Sequence, residues 1–229
     1  MAAPASGLNR FYLVLGALAL AGIAWLVYQV GKPSGVSIPV NVTVLAADTA
    51  GFRGYLLGSA DAPVEVSIFA DFQCPACQQF EAIQFPAVRQ QLISSGLARW
   101  RYRDFPLDMH PHSRVASHAA ACANEQNKFW EMHDALYARQ SEWSPARNAA
   151  GKFSDYAKEL GLDVNQYDAC MKSAKFAGRI QASVEEGAKL GVNGTPTFLI
   201  GGRLYSYSGA FGSDSIRALV RALLPNPTQ

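Results

Sequence analysis

The stretch Phe72-Gln73-Cys74-Pro75-Ala76-Cys77 constrains this chain more than any other. An apolar run, Val64 to Phe72, leads straight into two cysteines spaced C-x-x-C, and a helix-compatible run, Gln78 to Ser95, follows them. That order predicts a buried strand, a turn, and a helix with a thiol at its N-terminus. Unpaired N–H groups and the positive end of the helix dipole stabilise a thiolate there. The thiolate is the form that attacks disulfides. The same spacing would serve half of a zinc site, but the strand-to-helix setting favours a redox pair. Cys74 is then the more exposed sulfur with the lower pKa. Cys77, one helical turn further in, is the buried resolving partner. Pro75 and Ala76 tune the pair by what they lack: no N–H from the proline, no charge and no imidazole between the cysteines. A moderate oxidant is expected.

The N-terminus sets the compartment. Arg10 precedes Phe11 to Val30, about twenty residues without a formal charge, enough for a helix to span a bilayer. Trp25 and Tyr28 sit near its end, where interfacial aromatics are common. Lys32-Pro33-Ser34-Gly35 then breaks the helix. Residues 1–30 are therefore expected to be a membrane anchor. The competing reading is a cleaved signal peptide, with small-x-small sites at Ala17-Leu18-Ala19 and Ala19-Leu20-Ala21; the apolar run continues past both. Arg10 and Lys32 do not fix the orientation. Four cysteines, an even number, favour disulfides in an exported chain. The bulk of the molecule is accordingly expected on the extracytoplasmic side of the cell membrane, as a single-pass protein.

The 229 residues allow one domain with an insertion or two small domains, and an apolar content of 49% is enough for a sizeable core. A net charge of +2 gives no reason to expect a nucleic-acid partner. Residues 31–51 read as a linker, with Ile38 to Leu45 as a possible short strand. Arg53 to Gly58 reads as an edge strand. Pro86 should kink the helix after Cys77, and Gly96 should end it. Leu97 to Phe105 alternates, with Ala98, Trp100 and Tyr102 on one face and Arg99, Arg101 and Arg103 on the other. Three arginines on one strand are read as a solvated face. Residues 107–190 turn helical, with four or five helices. Among them are Ser113 to Asn124, Phe129 to Arg139, a helix capped by Asp163, and Ala177 to Leu190 ended by Gly191. A strand then starts after Thr195-Pro196, Gly201-Gly202 makes a hairpin turn, and a last helix runs from Ser213 to Leu223. Residues 224–229 are a tail.

Three segments carry a resemblance: Asp71 to Cys77; Tyr102-Arg103-Asp104-Phe105-Pro106-Leu107 leading through His110-Pro111 to Lys128-Phe129-Trp130-Glu131-Met132-His133-Asp134; and Gly191 to Phe198. Together the chain resembles the DsbA-like thiol:disulfide oxidoreductases of the thioredoxin superfamily over residues 52–223. The resemblance implies an α/β thioredoxin fold with a helical domain inserted at about 107–190, here preceded by a transmembrane helix. It implies that Pro196 is a cis-proline facing the cysteine pair, and that the Thr195 backbone binds an extended substrate segment by β-augmentation. It implies reduced or unfolded exported proteins as clients, a membrane redox partner that renews the pair, and no cofactor. The chain departs from the pattern at one point. Many relatives carry a buried acid six residues before the first active-site cysteine, where this chain has Ile68. Asp71 or water could take that role; the alternative reading of Asp71 is a surface loop acid.

Cys122 and Cys170 lie on apolar helix stripes. They are either two buried free thiols or a structural disulfide joining helices of the insert, and the even count in an exported chain favours the disulfide. His110, His112, His118 and His133 lack metal-site spacing relative to Cys74 and Cys77, so they are expected at the surface or at helix ends, with no metal. The expected activity is the oxidation of client thiols. A dedicated reductase or isomerase, and a peptide-binding chaperone with incidental thiols, are the alternatives.

Overall fold

The computed structural model describes residues 6–31, 35–208 and 210–225. The chain divides into two compact units, Met1–Ser34 and Gly35–Gln229.

The first unit holds helix α1, Ser6–Gly31. It forms where the anchor is expected, and its described side chains, residues 11–25, are exposed. Among the described residues no helix is long and apolar enough to cross a membrane. The side chains of Arg10, Tyr28 and Lys32, and the tail beyond residue 225, lie outside the described residues.

The second unit is built on a five-stranded sheet in the order β1-β3-β2-β4-β5. Its strands are β1 Tyr55–Leu57, β2 Val64–Ala70, β3 Ala98–Asp104, β4 Thr197–Ile200 and β5 Arg203–Ser206. β2 and β3 are parallel, and every other pairing is antiparallel. A parallel pair needs a crossover. Here it is made by helices α3 Pro75–Ile83 and α4 Phe85–Val88 and a π-helical turn, Arg89–Ile93. The expected single kinked helix is thus two helices. Pro86 cannot supply the N–H that a continuous helix would need, so it sits in the first turn of the restarted one.

Strand alternation decides what each face meets. Val66, Ile68, Trp100 and Tyr102 are wholly buried beneath α3. There Phe80 stacks on Trp100 at 6.0 Å and packs on Phe198 at 4.9 Å. On the opposite face Phe69, Phe105 and Val192 form a smaller cluster. The arginine row on that face is not simply solvated. Arg99 and Arg101 both pair with Glu65, at 2.8 Å each, and the mostly buried Arg103 pairs with Glu186. The hairpin between β4 and β5 turns at Gly201 and Gly202, both at positive φ (56° and 75°), the requirement of a tight two-residue turn.

Between β3 and β4 lie α5 Ser113–Asn124, α6 Phe129–Ala138, α7 Gln140–Trp143, α8 Ala149–Glu159, α9 Val164–Ser173 and α10 Ala177–Leu190. Asp163 caps α9 by accepting from Gln166 N at 3.0 Å. The last helix, α11, is Ser213–Leu223. Two expectations fail here. Ile38 to Leu45 forms no strand; Ile38 instead buries its side chain singly, and a short helix, α2 Ala46–Thr49, follows. His118 and His133 are not at the surface but wholly buried. Each lies on the inward face of its helix, a placement that histidine's intermediate polarity permits; both His118 nitrogens have partners, and His133 Nδ1 lies 2.9 Å from Asp134 Oδ1.

Candidate redox site

Cys74 is the N-cap residue of α3, and Pro75 occupies the first helical position. Proline suits that position because its missing N–H would have had no partner there. The turn brings the Cys74 sulfur 3.4 Å from the carbonyl oxygen of Thr195, to which the thiol donates. The Thr195-Pro196 bond is cis. Four of the residues singled out in the sequence, Cys74, Cys77, Thr195 and Pro196, are thus brought to one place. Cys74 and Cys77 are free thiols, 6% and 1% exposed.

The two thiols are pushed apart electrostatically. The Cys74 pKa is lowered to about 6, chiefly by the hydrogen bond from the Cys77 thiol, then by the Thr195 side chain and the Cys77 and Ala76 N–H groups, against burial. Thr195 Oγ1 is buried with no hydrogen-bond partner among the described residues, so its hydroxyl is available to a Cys74 thiolate. Burial pushes Cys77 the other way, well above the usual thiol range, and the neighbouring Cys74 adds to the shift. One sulfur is therefore poised as a nucleophile near neutral pH, while its partner holds its proton.

The loop ahead of the pair is held by residues that motif reading did not find. Gln140 of α7 donates to the carbonyls of Phe72 (2.7 Å) and Cys74 (3.1 Å). Gln73 reaches Ser144 Oγ at 2.9 Å. Asp71 is wholly buried, not a surface acid. Its Oδ1 accepts from Gln73 N (2.8 Å) and Ser113 Oγ (2.5 Å), and its Oδ2 from Leu107 N (3.0 Å) and His110 Nδ1 (2.6 Å). A carboxylate offers about four acceptor sites, and all are taken. Asp71 is a brace rather than a free base.

Cys122 and Cys170 form a disulfide between α5 and α9, remote in sequence from the pair. His118 Nδ1 lies 3.4 Å from the Cys122 sulfur, and its Nε2 accepts from Phe176 N. Burial holds His118 well below the usual imidazole range, at about 4. These three residues are close enough to suggest a metal cluster, but the two sulfurs are spent on each other and offer no thiolate.

The thioredoxin family's sequence model, described as Thioredoxin, matches residues 53–221. A curated relative, the Na(+)/H(+) antiporter NhaA 3 of Salinispora tropica, is 38% identical over 169 residues, which are 73% of this chain and 24% of that protein. The chain thus spans about a quarter of that relative's length. The probable disulfide bond formation protein D of Bacillus anthracis is 26% identical over 65% of this chain and 70% of its own. Among solved structures, oxidised BdbD from Bacillus subtilis superposes with a TM-score of 0.66 at 23% identity, covering 73% of this chain and 91% of that one. The chain belongs to the thioredoxin family, its fold divided by a helical block between β3 and β4.

Proposed function

We propose that this protein is a thiol:disulfide oxidoreductase that introduces disulfides into exported proteins, with α1 as its membrane anchor and the Gly35–Gln229 unit on the extracytoplasmic side. The observation that carries the reading is the Cys74 sulfur at the α3 N-cap, its pKa lowered to about 6 beside Thr195. A stabilised thiolate favours the reduced pair, and a favoured reduced pair is an oxidant.

In the working cycle a client thiolate attacks Cys74 of the Cys74–Cys77 disulfide. The client–Cys74 bond forms, the Cys74–Cys77 bond breaks, and Cys77 leaves with the electron pair. The client's second thiolate then attacks its own sulfur in the mixed disulfide and expels Cys74. The client has lost two electrons and the pair has gained them. A membrane redox partner removes those electrons and restores the disulfide. The Thr195 backbone would hold the client segment as an added strand, through main-chain bonds that accept many sequences. Pro196 forms the opposite wall, and Pro75 and Ala76 set the potential. The disulfide-forming role printed for the Bacillus anthracis relative agrees with this direction.

The decisive experiment is a redox titration of the full chain against glutathione. A potential well above thioredoxin's, which is about −270 mV, is the expected result. A value at or below it would make the protein a reductase. If client oxidation persists in the Cys74→Ala, Cys77→Ala double variant, the pair is incidental and a peptide-binding chaperone is the better reading.

A further inference from the structure

His133 of α6 is wholly buried, yet it stands between two carboxylates. Its Nδ1 lies 2.9 Å from Asp134 Oδ1, and its Nε2 faces Glu81 Oε1 at 3.7 Å. We propose that His133 is a pH-sensitive latch: protonated, it ties the redox helix α3 to α6 of the inserted block, and it releases that tie when it loses its proton. The latch would hold in a reductase as well as in an oxidant.

The placement follows from the helices. Glu81 comes one turn after Cys77 and shares its face of α3. Gln78 reaches the same neighbour, donating from Nε2 to the Tyr137 carbonyl of α6 at 3.3 Å. On the far side of α6, Arg89 of the π-helical turn grips Asp134 with both Nη atoms, at 3.2 and 3.1 Å. Four groups of alternating charge thus run in a chain, Glu81 to His133 to Asp134 to Arg89. All four line one cavity of about 330 Å³.

The chain closes only with a second proton on the imidazole. A neutral ring has one N–H, and the Asp134 carboxylate takes it at Nδ1. Nε2 would then turn a lone pair toward the Glu81 carboxylate. Glu81's side chain is only 6% exposed. Neither its Oε1 nor His133 Nε2 has a hydrogen-bond partner among the described residues. The rest of the surroundings are aromatic. Tyr102, Trp130 and Tyr137 lie at 5.0–5.1 Å, with Phe72 and Phe85 at 5.7 and 6.3 Å. The Tyr102 and Tyr137 hydroxyls bond each other at 3.1 Å. Glu81 and Asp134 are therefore the charges that act on the ring, with Arg89 beyond Asp134. Protonation makes Nε2 a donor and sets a cation between two anions, out of water, where such attraction is strongest.

Burial pulls the His133 pKa down, but Glu81 and Asp134 outweigh it and the pKa is raised. A raised pKa contributes stability that is fully present below the imidazole's ordinary 6.5 and is lost as pH rises through the folded value. Above that value a buried Glu81 carboxylate faces a neutral ring, and an unpaired buried charge is costly. The contact between α3 and α6 is what gives way.

The test uses the full chain in detergent with its Cys74–Cys77 disulfide intact, so that the thiols of the pair do not titrate. The ring ¹⁵N resonances of His133, assigned through its contacts with Trp130 and Tyr137, are followed from pH 5 to 9. Both nitrogens should carry protons at pH 6, with a midpoint above 6.5. E81Q and D134N should each lower that midpoint by about 1 pH unit or more, the effect of removing an adjacent opposite charge. A wild-type midpoint below 6.5, or one that neither variant moves, overturns the inference. Hydrogen exchange of the wild type supplies a readout that needs no variant to fold. Normalised to intrinsic rates, the amides of α3 and α6 should lose protection as pH passes the His133 midpoint, while those of α8 and α9 do not. A flat profile in α3 and α6, or an equal loss in all four helices, overturns the latch.

Discussion

Cys74 is where the residue scale decides behaviour. Its pKa falls from 9.0 to about 6 on folding of the dithiol form. Thiolate absorbance at 240 nm should therefore show a midpoint near 6 that vanishes in Cys74→Ser. The sign of the linkage follows. A depressed pKa stabilises the fold only when the group is ionised, so the contribution is fully present above about 9 and lost as pH falls through about 6. Urea denaturation of the reduced protein should show lower stability at pH 5 than at pH 8, and Cys74→Ser should flatten that difference. Thr195→Val removes one of the groups that lower the Cys74 pKa. It should raise the midpoint and make the pair less oxidising in a glutathione titration, while an unchanged midpoint would rule out the hydroxyl as a contributor. The pair itself was legible in the sequence because C-x-x-C at a strand-to-helix junction is a local pattern. Gln140, Ser144 and the partners of Asp71 were not, because they meet the loop across 36 to 71 residues of chain. No periodicity encodes a contact of that length.

At the scale of elements, α10 is the part that ties the helical block to the sheet. It crosses Phe69 and Phe105 at Gly187, where a Cβ would lie 2.7 Å from the Phe105 ring and 3.1 Å from Phe69. Gly187→Ala gains about 1 kcal/mol in helix propensity but overpacks a closed aromatic contact at a cost of about 1–3 kcal/mol. A net loss of about 1 kcal/mol, seen as a lower urea midpoint at unchanged m-value, is expected. An unchanged or raised midpoint would mean that Phe105 yields freely. Helix ends such as Asp163 and Gly191 were readable because capping chemistry is written in single residues. The break at Pro86 was readable as a kink but not as two helices and a π turn, since that outcome depends on how Phe85 and Val88 find the core. The arginine row was misread as merely solvated because its neutralising partners, Glu65 and Glu186, come from another strand and from α10. His118 and His133 were misplaced for the same reason. Their burial depends on the neighbours of α5 and α6, not on the local pattern.

For the whole molecule the question is what holds the inserted helices and whether α1 holds the protein to a membrane. Cys122 and Cys170 close a loop with a sequence separation of 48 residues. The chain-entropy estimate for a loop of that size is about 4 kcal/mol. The Cys122→Ala, Cys170→Ala variant should lose stability of that order in urea unfolding, with the thiol pair at Cys74 and Cys77 still reactive. A variant as stable as the wild type would show that packing of α5 on α8 and α9 suffices. The anchor is the complementary test. The apolar run of α1 bears no formal charge from Phe11 to Val30. On transfer scales an aspartate or lysine at the centre of a spanning helix costs about 2.5–3.5 kcal/mol each. Placing two charges there, Ala19→Asp and Gly22→Lys, should release the full-length protein from carbonate-washed membranes, while wild type should stay in the pellet at its full mass. Wild type recovered in the supernatant, shortened by the mass of the first twenty or so residues, would mean that the segment is a signal removed on export. The proposed disulfide chemistry would then act free of the membrane, and any membrane redox partner would have to be met by diffusion.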